Sequence, residues 1–366
     1  MTPVVDVDGE LMARALQLAE RGMYTTTPNP RVGCVIARGA QVLGEGWHER
    51  SGEAHAEVRA LADARERGND PRGATAYVTL EPCNHHGRTP PCTEALLAAG
   101  IGRVVAAMRD PNPQAARGAD RLHTAGVAVE IGLREAEARD LNPGWIKRMQ
   151  TGRPWLRLKI AASLDGRTAL SNGVSQWITG AAARADGHRW RARACAILTG
   201  IGTVRQDDPR LTVRDVDTPR QPLKVIIDRH AELAPTARLL AEGETLVFSA
   251  VAPRAPWPPH VQTQVLPDRD GRIDLGMMLD ALGARCINEV HVEAGAKLNG
   301  ALLAASLVDE LVIYLAPCLL GDPARGMLDW PSPIADLADR VRLQVRSVVP
   351  IGEDWRVVAR ISTGHP

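Results

Sequence analysis

Residues 52–61 are GEAHAEVRAL, and residues 79–92 are TLEPCNHHGRTPPC. The first stretch begins a predicted helix with His55 and Glu57, and the second places Cys83 and Cys92 around a loop rich in glycine and proline. Zinc favours thiolate and imidazole ligands in a tetrahedron. A structural site has four protein ligands, whereas a catalytic site has three and leaves one position for water. We therefore predict a zinc ion bound by His55, Cys83 and Cys92.

The residues around these ligands bear on whether the ion is structural or catalytic. His85 or His86 could supply a fourth ligand, so counting ligands leaves both kinds of site open. His55 and Cys92 each begin a predicted helix, where the helix N-terminus favours thiolate over thiol. Glu57 favours a catalytic site, because a water molecule at an open position needs a base and later an acid, and one carboxyl can serve as both.

Composition sets the class of protein. A chain of 366 residues exceeds what one core usually organises, so two domains are expected. Hydrophobic residues make up 45% and charged residues 24%, as in a soluble globular protein. A net charge of +1 and a single phenylalanine argue against nucleic acid or an anionic membrane as a partner.

The remaining compositional features concern location. The start, MTPVVDVDGELM, lacks the basic residues and apolar stretch of a signal peptide, and no apolar run approaches a membrane span. Six scattered cysteines do not form a disulfide framework in a chain of this length, which leaves thiols available for metal. We expect a cytoplasmic protein.

Strand and helix patterns alternate along the whole chain. A first helix contains Leu11 and Ala19, with Asp8 as its expected N-cap. The alternation then predicts an α/β layered sheet with parallel pairs. It pauses at QTGRPW, residues 150–155, and restarts beyond it. We therefore expect two α/β domains, at residues 1–148 and 152–366.

The metal motif resembles that of the zinc nucleobase deaminases, whose signature is H-x-E followed by P-C-x-x-C. This chain has HAE at 55–57 and EPC at 81–83, but eight residues instead of two separate its cysteines. With that spacing, TTPNPRVGCVI, GEGWHERSGEAHAE and EPCNHHGRTPPC together resemble the deaminase half of the bifunctional riboflavin-biosynthesis deaminase–reductases. The resemblance extends over essentially the whole chain.

For the first half, the resemblance implies a cytidine-deaminase-like three-layer domain with Glu57 as the catalytic residue. It also implies substrate contacts from Asn29, His48 and Arg88. Prolines on both sides of Asn29 hold its backbone extended and fix the direction of its amide. Cys34 lies in the middle of a predicted strand and is expected to be a core residue rather than a ligand.

The second half contains LRLKIAASLDGRTALSNGVSQWITG and ILTGIGTVRQDDPRLTVR. Its glycines match neither the dinucleotide fingerprint nor the ATPase phosphate loop. The resemblance implies a dihydrofolate-reductase-like α/β domain that uses NADPH, with Lys159 as a catalytic residue. The implied cofactor contacts are Ala161, Trp177, Thr203, Asp207, Gly295, Ala296, Lys297, Leu298, Asn299, Gly300 and Ala301. The implied substrate contacts are Ser175, Arg191, Leu211, Arg214 and Glu293, with both arginines expected to clamp a phosphate.

The resemblance implies two successive reactions. The first is zinc-dependent hydrolytic deamination of 2,5-diamino-6-(5-phosphoribosylamino)pyrimidin-4-one, and the second is NADPH-dependent reduction of the ribosyl group to ribityl. It also implies a small-molecule substrate and a homo-oligomer, either a dimer or a tetramer. Two alternatives stay open: a zinc nucleoside or tRNA deaminase with an unrelated C-terminal domain, and a zinc-stabilised scaffold.

Overall fold

The computed structural model describes residues 6–86, 90–253 and 257–362. The chain divides into two compact units, of which the first ends at Thr151 and the second begins at Gly152. None of the helices in these residues combines the length and the apolar character that crossing a bilayer requires.

The first unit is a five-stranded sheet with helices packed on it. Its helices are α1 Val7–Glu20, α2 Ala56–Glu66, α3 Cys92–Ala98, α4 Gly118–Thr124, α5 Glu135–Leu141 and α6 Pro143–Thr151. Its strands are β1 Gly33–Arg38, β2 Gln41–Trp47, β3 Thr75–Val78, β4 Arg103–Ala106 and β5 Ala128–Ile131. The strand order is β2-β1-β3-β4-β5, with β1 antiparallel to both neighbours and β3, β4 and β5 parallel.

Glycines let the two long helices lie directly on opposite faces of this sheet. A Cβ on Gly33 would lie 2.0 Å from the Ala15 carbonyl oxygen of α1, and one on Gly44 would lie 2.4 Å from the Ala60 carbonyl oxygen of α2. Gly44 pairs with Ile36, which is three residues from Gly33 along β1, so the two glycines point to opposite faces. The unit therefore has the predicted three layers.

The sequence prediction of the first helix was wrong about its cap. Asp6, not Asp8, is the N-cap of α1, and its carboxylate accepts a hydrogen bond from the Gly9 amide at 3.0 Å. The Asp8 carboxylate instead binds Arg103 and the Tyr77 hydroxyl. Cys34 is fully buried in β1, as predicted.

The second unit contains a nine-stranded sheet in the order β11-β10-β9-β8-β12-β6-β13-β16-β15, parallel from β11 to β13 and antiparallel at the β15 edge. The strands of this unit are β6 Trp155–Ser163, β7 Arg167–Ala169, β8 Ala196–Gly200, β9 Leu223–Ile227, β10 Thr245–Ser249, β11 Val261–Val265, β12 Glu289–Val292, β13 Glu310–Ala316, β14 Arg325–Gly326, β15 Leu343–Ile351 and β16 Asp354–Ile361. Of these, β7 and β14 form a separate two-stranded sheet. Its helices are α7 Ala181–Arg193, α8 Ile201–Asp207, α9 Leu275–Ala284 and α10 Ala296–Ala304.

The α/β fold class is confirmed, but the sequence pattern missed the helices α8 and α9 and the strands β7, β11, β14 and β15. The helix α9 begins at the cap Asp274, whose carboxylate accepts from the Met277 amide at 2.9 Å, and its apolar face is in the core. The strand β15 was missed because it is an exposed edge strand without a clean alternation of buried and exposed residues. The parallel arrangement brings the C-terminal ends of β6, β8 and β12 to one edge, where α/β sheets bind ligands.

Candidate active sites

The three predicted zinc ligands meet in the first unit. The His55 Nδ1, Cys83 Sγ and Cys92 Sγ atoms all lie within 4.8 Å of one another. The His55 nitrogen is 3.3 Å from the Cys92 sulfur and 3.5 Å from the Cys83 sulfur. A tetrahedral zinc separates its nitrogen and sulfur ligands by about 3.5 Å, given bonds of about 2.0 and 2.3 Å. The three side chains therefore fit a zinc ion.

Local structure explains why these three residues converge. His55 is the N-cap residue of α2 with extended backbone and makes no side-chain capping bond, so its ring is available as a ligand. Cys92 is the first residue of α3, and its backbone N–H points to the Cys83 sulfur at 3.4 Å. Hydrogen bonds from Cys92 and from the His55 ring lower the pKa of Cys83, which favours the thiolate that zinc binds.

A fourth protein ligand is not part of this group. Within residues 6–86, 90–253 and 257–362, the group comprises three members, and His85 and His86 lie outside it. The ring of His85 is half-buried, and its Nδ1 atom has no hydrogen-bond partner in that part of the chain. Three protein ligands leave one zinc coordination position for water, as in catalytic sites.

Glu57 lies in the first turn of α2, beside the three ligands. Its side chain is only 3% exposed, and its carboxyl is hydrogen-bonded to Cys92. Burial raises the pKa of the Glu57 carboxyl, and the Cys83 sulfur raises it further. A buried carboxyl at this position can hold a proton and also release it.

The predicted substrate residues of the first unit form a short chain of hydrogen bonds. The Asn29 amide nitrogen is 3.1 Å from His48 Nε2, and His48 Nδ1 is 3.2 Å from the Ala54 carbonyl oxygen. Because that oxygen only accepts, Nδ1 carries the proton and Nε2 accepts from Asn29. The His48 ring is buried and lies edge-on to His55, with 5.3 Å between centroids. Arg88 lies outside the described residues.

Sequence reasoning missed two carboxylates near this site. The buried Glu81 accepts hydrogen bonds from the Asp110 amide at 3.0 Å and from the Ala119 amide at 2.9 Å. Burial raises the pKa of Asp110 to about 7. In the sequence, Glu81 is two residues from Cys83, and Asp110 belongs to the stretch RDPNP at 109–113. Closeness to these motifs was the only feature of the sequence that could have indicated a role for the two carboxylates.

The second unit contains a cleft of about 730 Å³ at the C-terminal edge of its parallel strands. It brings together thirteen of the predicted residues: Lys159, Ala161, Ser175, Trp177, Arg191, Thr203, Asp207, Leu211, Arg214, Glu293, Gly295, Ala296 and Asn299. The cleft volume lies in the range of small-molecule sites.

Four predicted cofactor residues do not line this cleft: Lys297, Leu298, Gly300 and Ala301. They lie on α10, although the resemblance implied that the whole segment 295–301 contacts the cofactor. A Cβ on Gly300 would lie 2.0 Å from the Asp329 carbonyl oxygen, so this glycine serves close packing. The Leu298 side chain packs against the core. Only the start of α10 faces the cleft.

Lys159, Arg191 and Glu293 form a half-buried group of charges in the cleft. The Arg191 guanidinium donates to both Glu293 oxygens, with Nη2 2.8 Å from Oε2, and to the Thr212 carbonyl oxygen at 3.0 Å. Burial lowers the pKa of Lys159, although the Glu293 charge opposes this shift. Its Nζ atom lies 5.8 Å from the centre of the Tyr314 ring.

Arg191 was expected to clamp a phosphate, and the structure shows that its guanidinium also pairs with the Glu293 carboxylate. Sequence reasoning also missed Arg210 and Arg238, which line the same cleft. The spacing of Arg210 and Arg214 in DDPRLTVR was a possible signal for the former, whereas Arg238 is remote in sequence.

The start of α10 fits a phosphate-bearing cofactor. Its N-cap residue is Gly295, which has no side chain to cap the first N–H groups of the helix. A helix N-terminus attracts phosphate through such free N–H groups. The Oδ1 atom of Asn299 is buried without a hydrogen-bond partner in the described residues, although Asn299 lines the cleft. Thr203 lines the same wall.

Comparison with known proteins agrees with both sites. Residues 6–108 match the family described as the cytidine and deoxycytidylate deaminase zinc-binding region, and residues 154–357 match the RibD C-terminal domain. Fold and site together define a zinc-dependent deaminase unit joined to a RibD-type reductase unit.

Full-length relatives narrow this class to one family. The riboflavin biosynthesis protein RibD of Escherichia coli (strain K12) is 49% identical over 361 residues, 95% of this chain and 97% of the relative. The structure of Acinetobacter baumannii RibD, form 1, is 42% identical with a TM-score of 0.88 and covers 98% of this chain and 100% of its own. The chain belongs to the RibD family of riboflavin biosynthesis proteins, which confirms the resemblance.

A third relative carries a descriptive title. The Thermotoga maritima structure is a diaminohydroxyphosphoribosylaminopyrimidine deaminase/5-amino-6-(5-phosphoribosylamino)uracil reductase. It is 34% identical with a TM-score of 0.89, covering 97% of this chain and 99% of its own.

Proposed function

We propose that this chain catalyses two successive steps of riboflavin biosynthesis on one pyrimidine ribosylamine phosphate. The first is hydrolytic deamination of 2,5-diamino-6-(5-phosphoribosylamino)pyrimidin-4-one, and the second is NADPH-dependent reduction of the ribosyl group to ribityl. The observation that carries the proposal is the group of three zinc ligands with the buried Glu57 beside it. The family match over residues 154–357 supports the second step.

In the deaminase site, His55, Cys83 and Cys92 would hold zinc. A bound zinc ion supplies Lewis acidity at the open coordination position. Glu57 removes a proton from the attacking water and passes it to the leaving amino nitrogen. A ring C–O bond forms, the C–N bond breaks, and ammonia leaves. Asn29 orients the pyrimidine, and His48 holds the Asn29 amide in place through the 3.1 Å hydrogen bond.

In the reductase site, the start of α10, Thr203 and Asn299 would hold NADPH. The bound cofactor supplies a hydride to the anomeric carbon of the ribose. Breaking the ring C–O bond leaves negative charge on the sugar oxygen, and the Lys159 ammonium stabilises that charge. Glu293 holds Lys159 by charge attraction, and Arg191 fixes the Glu293 carboxylate.

We assign the deaminase to residues 1–148 and the reductase to residues 152–366, and we expect a cytoplasmic homo-oligomer, a dimer or a tetramer. The antiparallel edge of the second unit supports self-association, since Val345, Val348 and Trp355 on β15 and β16 are about half exposed. Exposed apolar edge strands are usual sites of association.

The alternative of a nucleoside or tRNA deaminase with an unrelated C-terminal domain is not favoured, because residues 154–357 match the RibD C-terminal domain. A zinc-stabilised scaffold is not favoured either. Glu57 is buried beside a group with three protein ligands, and a structural zinc site has no use for that carboxylate.

Two variants of the first unit test the proposal. Glu57→Gln is nearly isosteric but cannot shuttle a proton, so deamination should fall about 10²–10⁴-fold while zinc content stays at one per chain. Cys83→Ser should lose zinc, measured by metal analysis. Both should still reduce the already deaminated substrate with NADPH. Ammonia release near the wild-type rate in Glu57→Gln, or full zinc in Cys83→Ser, would contradict the site.

A further inference from the structure

We propose that Arg210 and Arg238, together with Arg214, bind the phosphate monoester of the reductase substrate. The proposal rests on the proposed reductase function and adds two residues to its substrate site.

Three arginines are brought together by two segments that are tied to each other. Arg210 and Arg214 lie on the loop that follows α8, and Arg238 begins a short 3₁₀ helix after β9. The backbone N–H of Arg238 donates to the Asp208 carboxylate at 2.8 Å, which fixes the second segment against the first. All three side chains line the cleft.

The loop itself turns the cations toward the cleft. Leu211 has a positive φ of 54° and is buried, so it anchors the chain between Arg210 and Arg214. The Arg214 backbone N–H donates to His188 Nδ1 at 3.1 Å, and its Nη1 atom is 3.1 Å from the Thr212 hydroxyl oxygen. The remaining guanidinium nitrogen–hydrogen groups of Arg214 are left for a ligand.

The side chains of Arg210, Arg214 and Arg238 are exposed, and they form no ion pair in the described residues, although Asp207 and Asp208 line the same cleft. In the part of the chain that the structure describes, no carboxylate lies within ion-pair distance of Arg210, Arg214 or Arg238. Burial lowers the pKa of Arg214, and repulsion from Arg191, Arg210 and Arg238 lowers it further, with Asp215 offsetting part of this at longer range.

Arg191 differs from the other three. Its guanidinium makes two bonds to Glu293 and one to a backbone carbonyl. These bonds use the Nε/Nη2 edge of the guanidinium and one Nη1 group, so fewer N–H groups remain for a phosphate on Arg191 than on Arg214. Three neighbouring cations without a counterion match a phosphate dianion, because each can donate several hydrogen bonds to its oxygens.

A phosphate monoester could come from the substrate or from the 2′-phosphate of NADPH. The cluster adjoins the Arg191–Glu293 pair and Lys159, where the sugar of the substrate reacts, and Arg214 shares Thr212 with Arg191. The start of α10 is the proposed cofactor site, and its N-terminal N–H groups can bind a cofactor phosphate. The geometry therefore favours the substrate phosphate.

The test compares Arg210→Ala and Arg238→Ala with Arg269→Ala, a matched control in an exposed loop outside the cleft. Each cleft variant should raise the KM for the deaminated substrate about tenfold and leave kcat nearly unchanged. The reason is that a charge-assisted phosphate contact stabilises the bound substrate and the transition state equally. The KM for NADPH should stay within about twofold. With the dephosphorylated substrate, both cleft variants should have the same KM as the Arg269→Ala control.

A binding measurement separates this inference from the proposed activity. Ribose 5-phosphate should bind each cleft variant about tenfold more weakly by calorimetry than it binds the control, and this holds even if no reduction is detected. Unchanged KM and unchanged ribose 5-phosphate affinity would overturn the proposal. A rise in the KM for NADPH alone would overturn it as well, by assigning the cluster to the cofactor.

Discussion

Replacing Arg157 by methionine should destabilise the second unit far more than the loss of an exposed arginine. Arg157 lies on β6, the strand that also bears Lys159, and its side chain is 1% exposed. Its guanidinium binds Glu289 at 2.9 Å and Glu310 at 2.5 Å, and it lies 4.7 Å from the centre of the Trp190 ring on α7. One side chain therefore joins three strands and a helix.

The magnitude follows from what the substitution leaves behind. Removing one partner of a buried ion pair costs about 3–5 kcal/mol, because the other charge stays buried. Here Glu289 still pairs with Arg193 at 2.8 Å, and Glu310 still pairs with Arg360 at 3.6 Å. The loss of unfolding free energy should therefore be about 3 kcal/mol, the lower end of that range. For a unit of this size, the melting temperature should fall on the order of 10 °C.

Scanning calorimetry of the zinc-loaded protein can measure this loss, because the two units can unfold in separate transitions. The matched control is Arg205→Met. Arg205 pairs with Glu232 at 2.6 Å, but both side chains are about half exposed, so less than about 1 kcal/mol should be lost. Zinc content should be unchanged in both variants. A loss below about 1 kcal/mol in Arg157→Met would refute the reasoning that the buried network holds these strands together.

Two further predictions concern catalysis and assembly. Burial lowers the pKa of Lys159, and the reaction needs the ammonium form of this side chain. Reductase turnover should therefore fall as the pH rises, and the fall should begin below pH ~10, where an ordinary lysine loses its proton. Lys159→Arg, if active, should shift that alkaline limb upward because arginine stays protonated, and an unmoved limb in the pH–rate profile would count against Lys159. Val345→Glu on the exposed edge strand should shift the homo-oligomer toward monomer by light scattering, and a monomeric wild-type protein would contradict the assembly.

Short-range sequence patterns were sufficient for the deaminase site. His55 and Cys92 both begin helices, and helix starts are signalled locally by periodicity and by prolines. Cysteine and histidine also indicate a metal site by residue type, because they are the side chains that zinc prefers. The motif spacing therefore led to the three ligands that the structure brings within 4.8 Å of one another, and to Glu57 beside them.

In the second unit, the sequence named thirteen residues that line the cleft but not which side chains bond to one another. The Glu293 carboxylate pairs with Arg191 across 102 residues, and Arg238 joins the loop after α8 through Asp208 across 30. No periodicity or motif encodes such pairs. The same limit applied to α10, where packing of Gly300 against Asp329 decides which face meets the cleft.

By itself, the sequence determined the α/β class and the family, and it named the three side chains that converge and the buried Glu57 beside them, since these depend on residue chemistry and local spacing. Only the tertiary structure decided which of the described arginines pair with a carboxylate, as Arg191 does with Glu293, and which do not. The physical reason is that charge compensation depends on distances of about 3 Å between side chains on different strands and loops. Those distances are set by how the sheet and its helices pack together.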